Sequence, residues 1–244
     1  MTIKLYADGA DMDGIINSAK DPMITGFTTN PTLMRQAGVT NYADFAVKAI
    51  DYLAKNRPDT CLSLEVFADE PAEILRQARL INDWADAAHY AVYVKIPVMY
   101  TNGESTKDVI RQLSSEGILL NVTAVFTVEQ VQEILDNLTR TTPSIISIFA
   151  GRIADTGEDA ESIVSMSIMA YENIKTDDDK VEFLWASSRE AFNYKNAEWS
   201  GCDIITMTPD LIKKVKGFGK DLTQFSKETC QMFYDDAVKS GFEL

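Results

Sequence analysis

The sequence predicts an α/β chain folded as a (β/α)8 TIM barrel with an extra C-terminal helix. Eight short apolar runs alternate with longer amphipathic stretches from end to end, the pattern of a parallel sheet joined by crossover helices. The 244 residues suit one such barrel, a fold commonly built from about 250 residues as a single domain. The Gly-rich GxGxxG turn that would follow the first strand of an open, doubly wound sheet is missing.

In chain order the predicted strands are residues 3–8, 26–29, 61–67, 91–98, 119–125, 144–150, 181–187 and 203–207. Between them, residues 71–87, 105–115, 128–137 and 158–173 carry apolar side chains at three- and four-residue intervals, as helices packed on a sheet do. Residues 176–180, Thr-Asp-Asp-Asp-Lys, read as a polar turn before the seventh strand. No composition shift or low-complexity linker divides the chain, so residues 1–244 are read as one barrel domain, with 220–240 its C-terminal helix. Along 222–238, Leu222, Phe225, Thr229 and Met232 share a face that Phe233 and Tyr234 broaden. Such a helix either packs across its own barrel or docks on a neighbouring subunit, and periodicity leaves both open.

Composition narrows the class of function. Hydrophobic residues at 45% and charged residues at 25% are ordinary for a globular protein. Cys61, Cys202 and Cys230 are odd in number and show no CxxC pairing, which points to reduced thiols and a cytoplasmic setting. The N-terminus lacks a basic and then apolar leader, and no apolar run approaches the ~18 residues that cross a bilayer. A formal net charge of −14 argues against nucleic acid or an anionic membrane surface as partner. A small phosphorylated substrate stays compatible, because a few local arginines outweigh a distant net charge. The lone histidine, His89, has no partner at metal-ligand or triad spacing and reads as structural or solvent-facing. Proton transfers then fall to carboxylates, lysine, tyrosine or water, and no metal or organic cofactor is expected.

In such a barrel the active site forms at the C-terminal ends of the strands, from alternate residues that share the inner face. Lys95 sits there, in the apolar run Ala91-Val-Tyr-Val-Lys-Ile-Pro-Val98. It is either a structural cation paired with a carboxylate or a nucleophile whose neutral amine is favoured by desolvation. Asp8 ends the first strand and Glu65 lies in Leu62-Ser-Leu-Glu-Val66, both expensive to bury without a partner or a task. One of them can neutralise Lys95, which leaves the other as an acid or base. Asn121 and Thr123 share a face of the fifth strand. Arg152 after the sixth strand and Arg189 after the seventh, each near a hydroxyl (Ser147, Ser187), suggest a phosphate clamp in the region where barrels often bind phosphate.

These segments carry a family resemblance. Thr28-Thr-Asn-Pro-Thr32 resembles the TTNPS signature of transaldolases and the related fructose-6-phosphate aldolases. Val94-Lys-Ile-Pro-Val98 resembles their Schiff-base lysine strand. Asn121-Val-Thr-Ala-Val-Phe126, Phe149-Ala-Gly-Arg-Ile153, Ala186-Ser-Ser-Arg189 and Gly201-Cys-Asp-Ile-Ile-Thr206 follow in the family's order over nearly the whole chain.

The resemblance implies that Lys95 forms an imine, that Asp8 is the acid and base at the substrate C4 hydroxyl, and that Glu65 and Thr123 hold or activate water. It implies that Thr28, Asn30, Asn121 and Ser147 bind the dihydroxyacetone portion, and that Arg152, Arg189 and Ser187 bind the phosphate of sugar-phosphate substrates. The reaction it implies is dihydroxyacetone transfer of the pentose phosphate pathway type. Its rival is aldol cleavage that releases dihydroxyacetone, and a rival of another class is a non-catalytic sugar-phosphate-binding barrel. Glu65 and Phe149 stand where the aldolases typically carry glutamine and tyrosine, and both resemble transaldolase. A phenylalanine cannot help water protonate the bound enamine. Ser188 departs from the family, which carries phenylalanine there. The short-chain relatives form rings through a C-terminal helix, which implies a homo-oligomer.

Overall fold

Capping residues and β-branched runs alternate along the chain and set the order of its elements. In a computed structural model, which describes residues 3–243, the first half reads β1 (Lys4–Asp8), α1 (Met12–Ala19), β2 (Ile24–Thr28), α2 (Pro31–Gln36), α3 (Tyr42–Asn56), β3 (Cys61–Glu65), α4 (Pro71–Ala88) and β4 (Val92–Pro97). There follow α5 (Lys107–Ser115), β5 (Leu120–Val125), α6 (Val128–Asn137), β6 (Ser144–Ile148), α7 (Ala150–Ala154), α8 (Ala160–Glu172), β7 (Val181–Trp185), α9 (Asn193–Trp199), β8 (Ile204–Met207), α10 (Pro209–Val215) and α11 (Leu222–Ser240). The strands pair in parallel and close, β8 returning to β1, so the predicted barrel is the observed one.

Strands buried on both faces read as apolar runs: all five residues of β6, Ser-Ile-Ile-Ser-Ile, are buried. The helices start at recognisable caps. Asn30 accepts from the Leu33 amide with Pro31 in the first turn of α2, and Thr127 with Gln130 forms a capping box on α6. α4 ends on His89, exposed and at φ 51°, a left-handed cap position. The histidine is thus solvent-facing, one of the two roles expected of it.

Strand ends differ from the predicted ones for local reasons. The sixth run stops at Ile148 because Phe149 turns the chain into α7. The seventh stops at Trp185, with Ser187 at φ 64°. In the third, the Phe67 amide leaves the sheet to donate to the Gln77 side chain at 2.9 Å. β2 starts two residues earlier than predicted, Ile24 pairing with Leu5.

Two apolar clusters result. The larger lies between the outer faces of the strands and the helices. The smaller fills the barrel interior with Tyr6, Cys61, Ile145, Leu184 and Ile204. Gly26 is required there, since a Cβ at that position would come within 2.6 Å of the Tyr6 ring. Lys4 and Glu182 form an ion pair of 2.6 Å at the N-terminal end of β1 and β7. The interior plug leaves the C-terminal mouth for chemistry. α11 buries none of its residues, so of its two readings, packing across its own barrel is not what the chain does.

Candidate active site

A cavity of about 440 Å³ opens at the C-terminal mouth, within the size range of small-molecule sites. Asp8, Thr28, Asn30, Glu65, Lys95, Thr123, Ser147, Phe149, Arg152 and Ser187 line it. Ten of the twelve residues singled out in the sequence therefore meet in one wall, because inward parity repeats at the ends of neighbouring strands.

Lys95 is its centre. β3 and β4 pair Glu65 with Lys95, and the amine reaches the Glu65 carboxylate at 2.8 Å. It also donates to the main-chain oxygen of Thr29 at 2.8 Å. Thr29 is itself held by its hydroxyl on the Ser63 carbonyl at 3.0 Å. Glu65 is steadied from outside, where the Tyr42 hydroxyl donates to the Glu65 main-chain oxygen at 2.8 Å. The amine thus has a carboxylate that can take its proton.

Asp8 is the spare carboxylate. It accepts from the Thr28 hydroxyl at 2.7 Å. Burial pushes its carboxyl above the ordinary range; the Lys95 charge and the Thr28 hydrogen bond pull it back only in part, and the Glu65 charge adds to the rise. Such a carboxyl keeps its proton to a higher pH than an ordinary one, which suits an acid and base.

Thr123 presents a buried hydroxyl with no hydrogen-bond partner among the described residues, at the cavity wall. Asn121 is fully buried and does not line the cavity. Its amide donates to the Ser63 hydroxyl at 3.1 Å and accepts from Ser147 at 2.6 Å. It thereby orients Ser147, whose remaining acceptor sites lie at the wall.

The two arginines part company. Arg152 lines the cavity and stacks over the Phe149 ring at 5.5 Å. Arg189 does not line it. Its guanidinium is engaged by Asp155, with Nε to Oδ1 at 3.2 Å. The stem of Arg189 nevertheless lies beside Arg152, against Gly151, where an added Cβ would meet its Cγ at 3.2 Å. That same Cβ would fall 1.7 Å from the Ser187 carbonyl oxygen, so only glycine lets the two loops approach. Ala124 (φ 58°) and Ser187 (φ 64°), both in the wall, hold left-handed backbone, a strain of about 1–3 kcal/mol each that clusters at functional sites.

Sequence reasoning missed four contributors: Thr206, whose hydroxyl lies 2.5 Å from that of Thr28, Ser63 beneath Asn121, Tyr42 behind Glu65, and Asp155 on Arg189. Thr206 had a signal, since it lies one residue before the end of an apolar strand on the inward parity of Ile204. The others depend on partners distant in sequence. Ser188, the position that departs from the resembled motif, donates its hydroxyl to the Thr206 main-chain oxygen at 2.9 Å. A second cavity of about 410 Å³, lined by α1, α2 and Pro209, adjoins the first at Asp8, Leu33 and Gln36. Among the described residues no cluster of three or more His, Cys, Asp or Glu side chains is placed to hold a metal ion, and no helix is long and apolar enough to cross a membrane.

Residues 5–244 match the family described as Transaldolase/Fructose-6-phosphate aldolase. A protein named "Probable transaldolase" from Dehalococcoides mccartyi is 29% identical over 84% of this chain and 86% of its own length. One of the same name from Hyphomonas neptunium is 28% identical over 99% of this chain and 100% of its own. Among solved structures, KGPDC from Streptococcus mutans superposes with a TM-score of 0.54 at 12% identity, covering 85% of this chain and 88% of that one. The 3-hexulose-6-phosphate synthase from Salmonella typhimurium gives 0.51 at 12% identity, covering 85% and 89%. At such identities the likeness concerns the barrel fold alone.

Proposed function

The chain belongs to the transaldolase/fructose-6-phosphate aldolase family, and from that premise we propose that it transfers a dihydroxyacetone unit between sugar phosphates through an imine on Lys95. The observation that carries this reading is the contact of 2.8 Å between the Lys95 amine and Glu65 at the wall of a cavity that also holds Asp8.

Proton transfer to Glu65 frees the amine to attack the ketose C2 carbonyl. The carbinolamine loses its hydroxyl as water, with Glu65 and the Thr123 hydroxyl positioned to hold that water. Asp8 takes the C4 hydroxyl proton, the C3–C4 bond breaks, the aldose leaves, and the electron pair stays on the imine as an enamine. An acceptor aldehyde is then attacked by the enamine carbon, its oxygen receives the Asp8 proton, and hydrolysis releases the new ketose and Lys95. Asn30 and Ser147, the latter held by Asn121, orient the dihydroxyacetone portion, while Arg152 and Ser187 take the phosphate, joined by Arg189 when it leaves Asp155.

Transfer is favoured over cleavage because Phe149 lines the cavity with a ring that carries no hydroxyl. The enamine then has no tyrosine to help water protonate it. Turnover of fructose 6-phosphate with and without an aldose-phosphate acceptor tests this. Strong acceptor dependence is expected, and release of free dihydroxyacetone at a comparable rate without acceptor would contradict it.

The same proposal extends to assembly. α11 leaves Leu222 81% and Phe233 64% exposed, a face that suits burial on another copy in a homo-oligomeric ring. Sedimentation at the size of a monomer would contradict it. Buried, unpaired Cys61 and Cys202 accord with a cytoplasmic setting.

A further inference from the structure

The two strands that flank β1 each place a threonine on the barrel interior beside Asp8. Thr28 on β2 is in register with Asp8, and Thr206 on β8 is in register with Tyr6. Both are nearly buried, at 3% and 5% exposure. Their hydroxyl oxygens lie 2.5 Å apart, and the Thr28 oxygen lies 2.7 Å from Asp8 Oδ1.

Proton counting fixes the direction of this chain. A hydroxyl has one hydrogen. An ionised Asp8 only accepts, so the Thr28 hydrogen points at Oδ1. The short contact between the threonines must then be made by the Thr206 hydrogen. Thr206 is held in turn, because the Ser188 hydroxyl donates to its main-chain oxygen at 2.9 Å. Two hydroxyl donors therefore lead from β8 through β2 to the carboxylate on β1, and Ser188 in the loop after β7 anchors only the Thr206 main chain. The chain of hydroxyls ends on Oδ1 of Asp8, which lines the cavity, and leaves Oδ2 without a hydrogen-bond partner among the described residues.

We infer that Thr206 is a positioning residue for the acid–base carboxylate: by donating to Thr28 it commits the Thr28 hydrogen to Asp8 Oδ1, so that Oδ2 exchanges the substrate proton. The inference rests on the proposed role of Asp8. Bonds in such a chain polarise one another, so the Thr28 bond to the carboxylate is stronger when Thr206 donates. The charged and titratable groups that face Asp8 are Lys95 from β4, whose charge favours the carboxylate, and Glu65 from β3, whose charge opposes it. Asp11 at the start of α1 is already committed to the Gly14 amide at 2.6 Å. Thr28 and Thr206 complete the surroundings. Since they carry no charge, the order of their hydrogens is what they contribute.

The test is the pH dependence of kcat for Thr206→Val, Thr206→Ser and the wild-type chain, with borohydride trapping at Lys95 measured in parallel. Losing the donor weakens the support of the Asp8 carboxylate, so in Thr206→Val the acid limb should move up by about half a pH unit, roughly a 3-fold loss at a pH on that limb. Thr206→Ser, which keeps the hydroxyl, should return the limb to its wild-type place. The Lys95 adduct should form in both variants. Should Thr206→Val not fold, Thr206→Ala only removes atoms and carries the same expectation. An acid limb that superposes on the wild-type one, or that Thr206→Ser fails to restore, overturns the inference while the trapped adduct leaves the Schiff-base reading intact. Absence of the adduct in the wild-type chain would overturn both.

Discussion

The Lys95 amine is held between the Glu65 carboxylate and the Thr29 carbonyl oxygen, each at 2.8 Å. Removing one partner of such a buried pair leaves an uncompensated charge, which costs about 3–5 kcal/mol. Lys95→Met should therefore abolish transfer and also lower the unfolding free energy in urea. The double variant Lys95→Met/Glu65→Gln should recover much of that stability without activity. Additive effects in this cycle would contradict the coupling. Glu65→Gln alone should lower kcat by about 10²–10⁴-fold, the range for loss of a positioned proton carrier.

Asp8 predicts a stability gain at the expense of activity. Its carboxyl is raised above its ordinary value of 3.8, chiefly by burial. A raised carboxyl stabilises the fold fully below that ordinary value, and the contribution is lost as pH rises through the folded value. Asp8→Asn should therefore unfold at a higher temperature than wild type at pH 8, by about 2–4 °C for each kcal/mol recovered. The difference should vanish at low pH, where both side chains are neutral. Calorimetry across that range checks the sign, and kcat should collapse in the same variant.

Asp155 competes for Arg189. The pair is half exposed, at 48% and 53%, and such pairs contribute about 0–1 kcal/mol. Asp155→Asn should lower KM for phosphorylated substrates by at most about 5-fold and leave unphosphorylated ketoses unaffected. Arg152→Ala should raise KM for the phosphorylated ones alone. Steady-state kinetics on matched substrates distinguishes these outcomes from a general loss of fold.

Gly151→Ala should act on the same loop through sterics. Its Cβ would overlap the Ser187 carbonyl oxygen, so the left-handed turn at Ser187 must shift. A destabilisation of about 1–3 kcal/mol is expected, with KM for phosphorylated substrates raised. Unchanged kinetics would show that the approach of the two loops does not matter for binding.

Much of this arrangement was legible in the sequence because inward parity at strand ends is a local property. Asp8, Glu65, Lys95 and Thr123 announce themselves as polar residues within apolar runs. What escaped prediction is of two kinds. The runs extend past the strand ends to Phe67, Ala150 and Ser187, because a side-chain acceptor, a helix start and a left-handed turn break the ladder where the apolar pattern itself does not stop. The partners that orient the site were hidden because they lie far away in sequence: Thr206 sits 178 residues from Thr28, and Asp155 34 residues from Arg189. Asn121 shows a further limit. Its position on an inward face is local information, but its burial beneath Ser147 depends on the layer below.

The most direct test of the central claim is borohydride reduction of the chain in the presence of fructose 6-phosphate, followed by peptide mass mapping. A single reduced adduct of a dihydroxyacetone unit is expected on the peptide that contains Lys95, lost in Lys95→Met. An unmodified Lys95 peptide, or an adduct carried by another lysine, would contradict it.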